Sequence, residues 1–177
     1  MAAALTLQDC GERARNLFLY DTFSGMNQPT EADRFPDGTP AAVEFKRTQT
    51  TADTSEWCCA PMDEVAASLR STGYPEERLR LIKGKVEDTL PGTLPEQIAL
   101  LRLDTDWYES TRHELRHLFP RLVPHGVLII DDYGYWSGAR QAVDEFMREQ
   151  NRHFYLHRAD QSSRVILNCP AVKPPPA

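Results

Sequence analysis

Apolar and polar positions along the chain alternate between short apolar runs of strand type and longer stretches with helical spacing. That alternation predicts an α/β protein with a mostly parallel sheet. Ala2 to Asp9 reads as a helix closed by Gly11. Asn16 to Asp21 (NLFLYD) reads as a buried strand. Pro61 to Ser71 places Met62, Val65 and Leu69 on one helical face, with Gly73 beyond its end. Arg80 to Val86 and Ile98 to Leu103 (IALLRL) are the next strands. Thr111 and Glu114 match a T-x-x-E capping box, and Leu115, Leu118, Phe119 and Leu122 follow at helical spacing. Gly126 to Ile130 (GVLII) is a further strand, and Ala139, Val143, Phe146 and Met147 form the stripe of a last helix. His153 to His157 and Arg164 to Leu167, with Asp160-Gln161-Ser162-Ser163 between them, predict an antiparallel edge hairpin.

Two stretches break the pattern. Thr22 to about Glu56 is rich in Gly, Pro, Thr and Asp, and its length predicts either a lid or disorder. Residues 169–177 are proline-rich and predict an extended or disordered tail, leaving 1–168 as one domain.

Composition narrows the function classes. The chain is 41% hydrophobic, and no apolar run approaches the roughly 20 residues of a spanning helix. A net charge of -6 without a basic stripe argues against a nucleic-acid partner. The N-terminus lacks the basic region and cleavage site of a signal peptide. Cys10, Cys58, Cys59 and Cys169 have neither zinc nor disulfide spacing, so buried or incidental thiols in a reducing cytoplasm are expected.

Acids follow four successive strand-like runs: Asp21, Glu87-Asp88, Asp104 and Asp131-Asp132. Ligands of open parallel sheets bind outside the carboxyl ends of the strands. One such acid is an ordinary turn or cap residue, but four along one edge repel each other and call for a counter-charge. Magnesium, which takes hard oxygen ligands and keeps several waters, fits Asp104, Asp131 and Asp132 on neighbouring strands. Asp21 suits the hydroxyls of a ribose, although no GxGxxG loop occurs. His113 and His117 sit four apart, but without a third ligand a solvated helix face is the expectation.

These residues stand in recognisable blocks. The stretch LLRLDTDWYESTRHELRHLFPRLVPHGVLIIDDYGYWSGARQAVDEF resembles the signature region of the macrocin O-methyltransferase family, and LYDTFSGM (Leu19 to Met26) and KGKVEDTLP (Lys83 to Pro91) resemble its second- and third-strand motifs. The three blocks lie in family order and align the chain to about Asn168. The resemblance implies a doubly wound, Rossmann-like sheet of the class I methyltransferase type that binds S-adenosylmethionine. It also implies magnesium and a hydroxyl acceptor, typically a deoxysugar of a natural product. It assigns metal ligation to Asp104, Asp131 and Asp132, the cofactor ribose to Asp21 with Thr22 beside it, and the adenine to Val86 and Glu87. Measured against the family, the chain starts at the helix after the first strand and its glycine loop, so that central strand is expected to be missing.

Methyl transfer from a sulfonium is an in-line displacement that needs an aligned, activated hydroxyl. Asp104 serves through the metal, and Asp106 is a candidate for base, substrate orientation or contact to the cofactor amine. Trp107, Tyr108, Tyr133, Tyr135 and Trp136 flank the acids and suit a sulfonium or a sugar, or simple packing. The partner expected is a small-molecule hydroxyl, with no nucleic acid or membrane; self-association is left open. Two rivals remain: a glycosyltransferase using Asp104-Thr105-Asp106 as its DxD motif, and a non-catalytic binding subunit lacking the first strand.

Overall fold

A computed structural model describes residues 1–150 and 153–170. Its contacts divide into two compact units, Met1–Gln28 with Phe45–Thr89 and Pro29–Glu44 with Leu90–Ala177. The chain crosses between them within a helix, Ala41–Thr48. No described helix is long and apolar enough to cross a membrane.

The first unit holds α1 (Ala2–Asp9), β1 (Leu17–Asp21), the end of α2 (Ala41–Thr48), α3 (Met62–Arg70), β2 (Leu79–Lys83) and α4 (Val86–Thr89). Strands β1 and β2 pair in parallel from Leu17 opposite Leu79 to Asp21 opposite Lys83. Such a pair requires a crossover, and α3 lies in it. Gly11 and Gly73 follow α1 and α3 at φ 73° and 72°, a conformation that costs glycine least. Tyr74 is buried and donates its hydroxyl to the Arg15 carbonyl at 2.8 Å.

The second unit holds β3 (Ile98–Leu103), α5 (Tyr108–Leu118), β4 (Leu122–Ile130), α6 (Ser137–Glu149), β5 (His157–Arg158) and β6 (Arg164–Leu167). Its sheet has the order β3-β4-β6-β5, parallel between β3 and β4 and antiparallel thereafter. Leu128 and Ile130 on the inner strand β4 are 0% and 1% exposed, and Leu103, Leu115, Val143 and Ile166 are buried in the same unit. Removing side-chain volume there leaves a cavity that rigid neighbours cannot refill. Leu128→Ala is expected to destabilise the second unit by about 2–5 kcal/mol. Denaturant unfolding would register it, and an unchanged midpoint would refute the placement of this core.

Several expectations need correcting. The long segment from Thr22 is not a featureless loop: it contains α2, and the bridges Asn27–Thr54, Arg34–Pro40 and Gln49–Ser55. Strand β2 ends at Lys83, so Glu87 and Asp88 lie in the short helix α4 and not at a strand end. Strand β4 begins at Leu122, earlier than expected, while β5 is confined to His157–Arg158. Helix α5 begins at Tyr108, so Thr111 and Glu114 are inside it; Glu114 instead accepts from the Thr105 hydroxyl at 2.8 Å. Side chains compete for any nearby donor, and a tetrapeptide pattern cannot reveal which one wins. All four cysteines are exposed and outside any disulfide, so of the two expectations for these thiols the incidental one applies. The ladders form two sheets, and among the described residues β1 pairs only with β2 and β3 only with β4. The tail expected over 169–177 falls outside the described residues from 171 onward.

Candidate functional site

The parallel register of β3 and β4 sets Leu103 opposite Ile130, so the acids that follow leave the sheet side by side. The Asp131 N–H donates to the Leu103 carbonyl at 3.0 Å, which extends the ladder one residue past the strands. One carboxylate oxygen from each of Asp104, Asp131 and Asp132 lies within 4.8 Å of the others. Among the described residues this is the single group of three or more acids, histidines or cysteines with metal-ligand proximity. His113 and His117 do not form a second: their rings meet at a 52° tilt with centroids 4.4 Å apart, and His113 Nε2 lies 3.1 Å from the Leu90 carbonyl.

Residues beyond the triad fix its geometry. Arg102 reaches across it, Nη1 at 2.6 Å from Asp104 Oδ2 and Nη2 at 2.8 Å from Asp131 Oδ2. Ser163 donates to Asp131 Oδ1 at 3.0 Å, from a turn in which Asp160 accepts the N–H groups of Ser162 and Ser163. Asp106 donates its N–H to Asp132 Oδ2 at 3.3 Å, and its own Oδ1 accepts the Trp136 indole N–H at 2.6 Å. Its φ of 66° is a left-handed conformation uncommon outside glycine, and such local strain tends to cluster at functional sites.

The electrostatics are one-sided. Burial, then the charges of Asp106, Asp104 and Asp131, pushes the Asp132 carboxyl up to about 8. Burial and the hydrogen bond shared with Asp131 push Asp104 up to about 6, against the pull of Arg102. Burial also raises Asp106, although the Trp136 and Asp132 hydrogen bonds oppose it. Carboxylates gathered in this way resist ionising together until a cation joins them. An all-oxygen, net negative donor set on the rim of a sheet fits a hard divalent ion such as magnesium.

The expected aromatic wall divides. Trp107 and Trp136 are buried against each other, ring centroids 4.9 Å apart, and Tyr135 stands edge-on to Trp136 at 5.0 Å. Tyr108 and Tyr133 donate their hydroxyls to Glu145 and Asp144 of α6, which gives them a packing role.

The first unit carries the other expected set. Asp21 is exposed at the end of β1, its Oδ1 accepting from the Phe23 N–H at 2.6 Å and lying 3.5 Å from the Thr22 hydroxyl. Its carbonyl accepts the Gly84 N–H at 2.9 Å, which ties β1 to the turn before α4. There Val86 is buried, and Glu87 Oε2 is buried without a hydrogen-bond partner. Buried polar atoms are nearly always satisfied, so this oxygen fits a ligand donor such as an exocyclic amine. An exposed acid and an orphaned buried acid, both flanking parallel strands, match the donors a nucleoside presents.

Sequence reasoning missed Arg102, Ser163, Trp136 as a donor and the buried Asp33. Arg102 has a weak signal, because it alternates with the buried Leu101 and Leu103 on β3 and so faces outward. The others depend on contacts thirty or more residues apart or on a loop without periodicity.

Known proteins resemble this chain in sequence and in fold. The Macrocin-O-methyltransferase (TylF) family model matches residues 1–165. A tetracenomycin-type rhamnosyl 4'-O-methyltransferase of Streptomyces olivaceus is 32% identical over 77% of this chain and 48% of its own length. The mycinamicin III 3''-O-methyltransferase of Micromonospora griseorubida is 30% identical over 80% of this chain and 51% of its own. The chain thus spans about half the length of these curated relatives. Among solved structures, the O-methyltransferase NovP superposes with a TM-score of 0.77 at 24% identity, covering 95% of this chain and 67% of that one. The calicheamicin methyltransferase CalS11 gives 0.61 at 18% identity, covering 92% and 65%. Both likenesses establish the α/β methyltransferase fold.

Proposed function

Since the chain belongs to the macrocin O-methyltransferase family, we propose that it carries the metal-binding and part of the cofactor-binding machinery of an S-adenosylmethionine- and magnesium-dependent O-methyltransferase. The acceptor is a hydroxyl of a sugar or similar small molecule in natural-product tailoring, as the names of its relatives state for them. The observation that carries the metal half is the convergence of Asp104, Asp131 and Asp132.

Asp104, Asp131 and Asp132 would hold the cation, with Arg102 and Ser163 fixing the outer oxygens of the first two. A bound magnesium supplies orientation of the acceptor hydroxyl and lowers its proton affinity. Asp106 is the base: its left-handed backbone and the Trp136 N–H hold the carboxyl beside the triad, where it takes the hydroxyl proton as the oxygen attacks. Asp21, next to Thr22, would receive the ribose hydroxyls of the cofactor, and Val86 with Glu87 would line its adenine, where the orphaned Oε2 could accept from an amine.

The rival glycosyltransferase reading needs Asp104 and Asp106 to act as a pair. Asp106 instead turns its Oδ1 to Trp136, and the close partners of Asp104 are Asp131 and Asp132. The test uses the full-length product of the gene. Transfer of the labelled methyl of S-adenosylmethionine to a deoxysugar glycoside, dependent on magnesium and lost on chelation, is the expected result. Tight binding of a nucleotide-sugar with no binding of S-adenosylmethionine would refute the reading. A non-catalytic subunit would transfer no methyl group and bind neither ligand.

A further inference from the structure

Asp33 lies between β1 and α2 and is fully buried, at 0% exposure. Its Oδ2 accepts from the Thr30 N–H at 2.7 Å and the Thr30 hydroxyl at 2.8 Å, and its Oδ1 accepts the Tyr108 N–H at 2.7 Å. A buried carboxylate is costly unless hydrogen bonds and dipoles hold it. This one caps the first turn of α5, where unpaired N–H groups and the positive end of the helix favour an anion.

A second clasp sits beside it at the first residue of α6. The Ser137 hydroxyl accepts the Arg34 N–H at 2.9 Å and donates to the Ala32 carbonyl at 2.5 Å, while its N–H donates to the Arg34 carbonyl at 3.2 Å. The next residue has to be glycine: a Cβ at Gly138 would lie 1.8 Å from Asp33 Oδ1. The fastened segment brings Phe35 to Trp136, ring centroids 4.6 Å apart, and Trp136 is the donor to Asp106. The contacts that link Thr30, Asp33, Phe35, Trp136 and Asp106 therefore all lie inside the second unit.

We propose that Asp33 is a positioning residue for the acceptor site: it fastens the Thr30–Arg34 segment to the first turns of α5 and α6 and so holds Phe35 and Trp136 as the wall that orients Asp106. The inference rests on the methyltransferase reading for its kinetic consequence, but the clasp itself is testable without it. Tyr135, 45% exposed, and the half-buried Phe35 offer aromatic surface whose π faces suit the C–H face of a sugar ring, with the buried Trp136 behind them, which makes this wall the element that would discriminate among acceptors.

Three variants of the full-length protein separate the possibilities: Asp33→Ala, Gly138→Ala and Phe35→Leu. Hydrogen exchange reads the clasp. The Tyr108 amide should lose protection by about 100-fold in the first two variants and keep it in the third. Trypsin should cut after the exposed Arg34 faster in the first two. Because both substitutions break the same contact, combining them should add little to either alone. Magnesium affinity and the KM for S-adenosylmethionine should stay within about twofold, whereas kcat on the sugar acceptor should fall by about tenfold or more in all three, as expected for a misoriented reacting group. Unchanged Tyr108 exchange in Asp33→Ala would overturn the clasp. Lost protection with unaltered acceptor kinetics would overturn the positioning role and leave the methyltransferase reading intact. No methyl transfer by the unsubstituted protein would sink that reading and the positioning role together, while the exchange data still decide whether the clasp exists.

Discussion

Asp132→Asn is expected to weaken magnesium binding by about 100-fold or more, exceeding the 10–100-fold typical of residues one layer further out. Asn keeps the size of the side chain and one carbonyl oxygen, so it preserves packing while removing the charge. Asp132 is the most deeply placed acid of the triad in its electrostatics, pushed up to about 8 by burial and by Asp106, Asp104 and Asp131. A cation at that point relieves three repulsions at once, and without the Asp132 charge much of the attraction is gone. The same change should make the metal-free protein more stable above about pH 8, where Asp132 is ionised, because it removes an unfavourable buried charge there. Isothermal titration with Mg2+ or Mn2+ reads the first effect, and thermal melting in chelator reads the second. Asp131→Asn should follow in affinity but not in stability, since Asp131 is already held by Arg102 and Ser163. Equal magnesium affinity in Asp132→Asn and the unsubstituted protein would dismiss the assignment of the ligands.

Magnesium affinity should also climb steeply with pH. Metal ligation requires deprotonated carboxylates, so binding must release the protons held on Asp104 and Asp132. With those groups titrating near 6 and 8, affinity should rise about tenfold per pH unit between them and more steeply below. It should level off above the upper value. Stability of the metal-free protein runs the other way. Both groups sit above the ordinary carboxylate value of about 3.9 found in an unfolded chain. The native state therefore binds more protons than the unfolded state between about 4 and 8, and stability falls as pH rises through that window. Magnesium should restore stability most at the alkaline end. Titration in two buffers of different ionisation enthalpy counts the released protons, and affinity that is flat from pH 6 to 8 would rule out this electrostatic picture.

How much of this was legible in the sequence varies by residue. Asp104, Asp131 and Asp132 could be found because parallel strands deliver their C-terminal residues to one edge, and the runs IALLRL and GVLII end in acids. Glu87 is an adenine-site candidate through the family resemblance alone, and it lies in a short helix after Gly84 and not at the end of a strand. The capping box failed because Thr111 and Glu114 satisfy a local rule that the fold does not use. The N–H of Tyr108, which opens α5, goes to Asp33, 75 residues away. Helix α2 was hidden in a stretch whose Gly, Pro and Thr content masks its one apolar face, that of Ala41 and Phe45.

The sequence by itself determined the alternation of strands and helices, the family and the three metal-ligand candidates, because each of these rests on periodicity or on residues that directly follow a strand. Tertiary structure alone decided which groups surround those acids. Arg102 bridging two carboxylates, Trp136 holding Asp106, and Asp33 closing on Gly138 all depend on side chains brought together from distant positions. Hydrogen-bond partners are selected by distance and direction in space, and no local pattern of residue types encodes either.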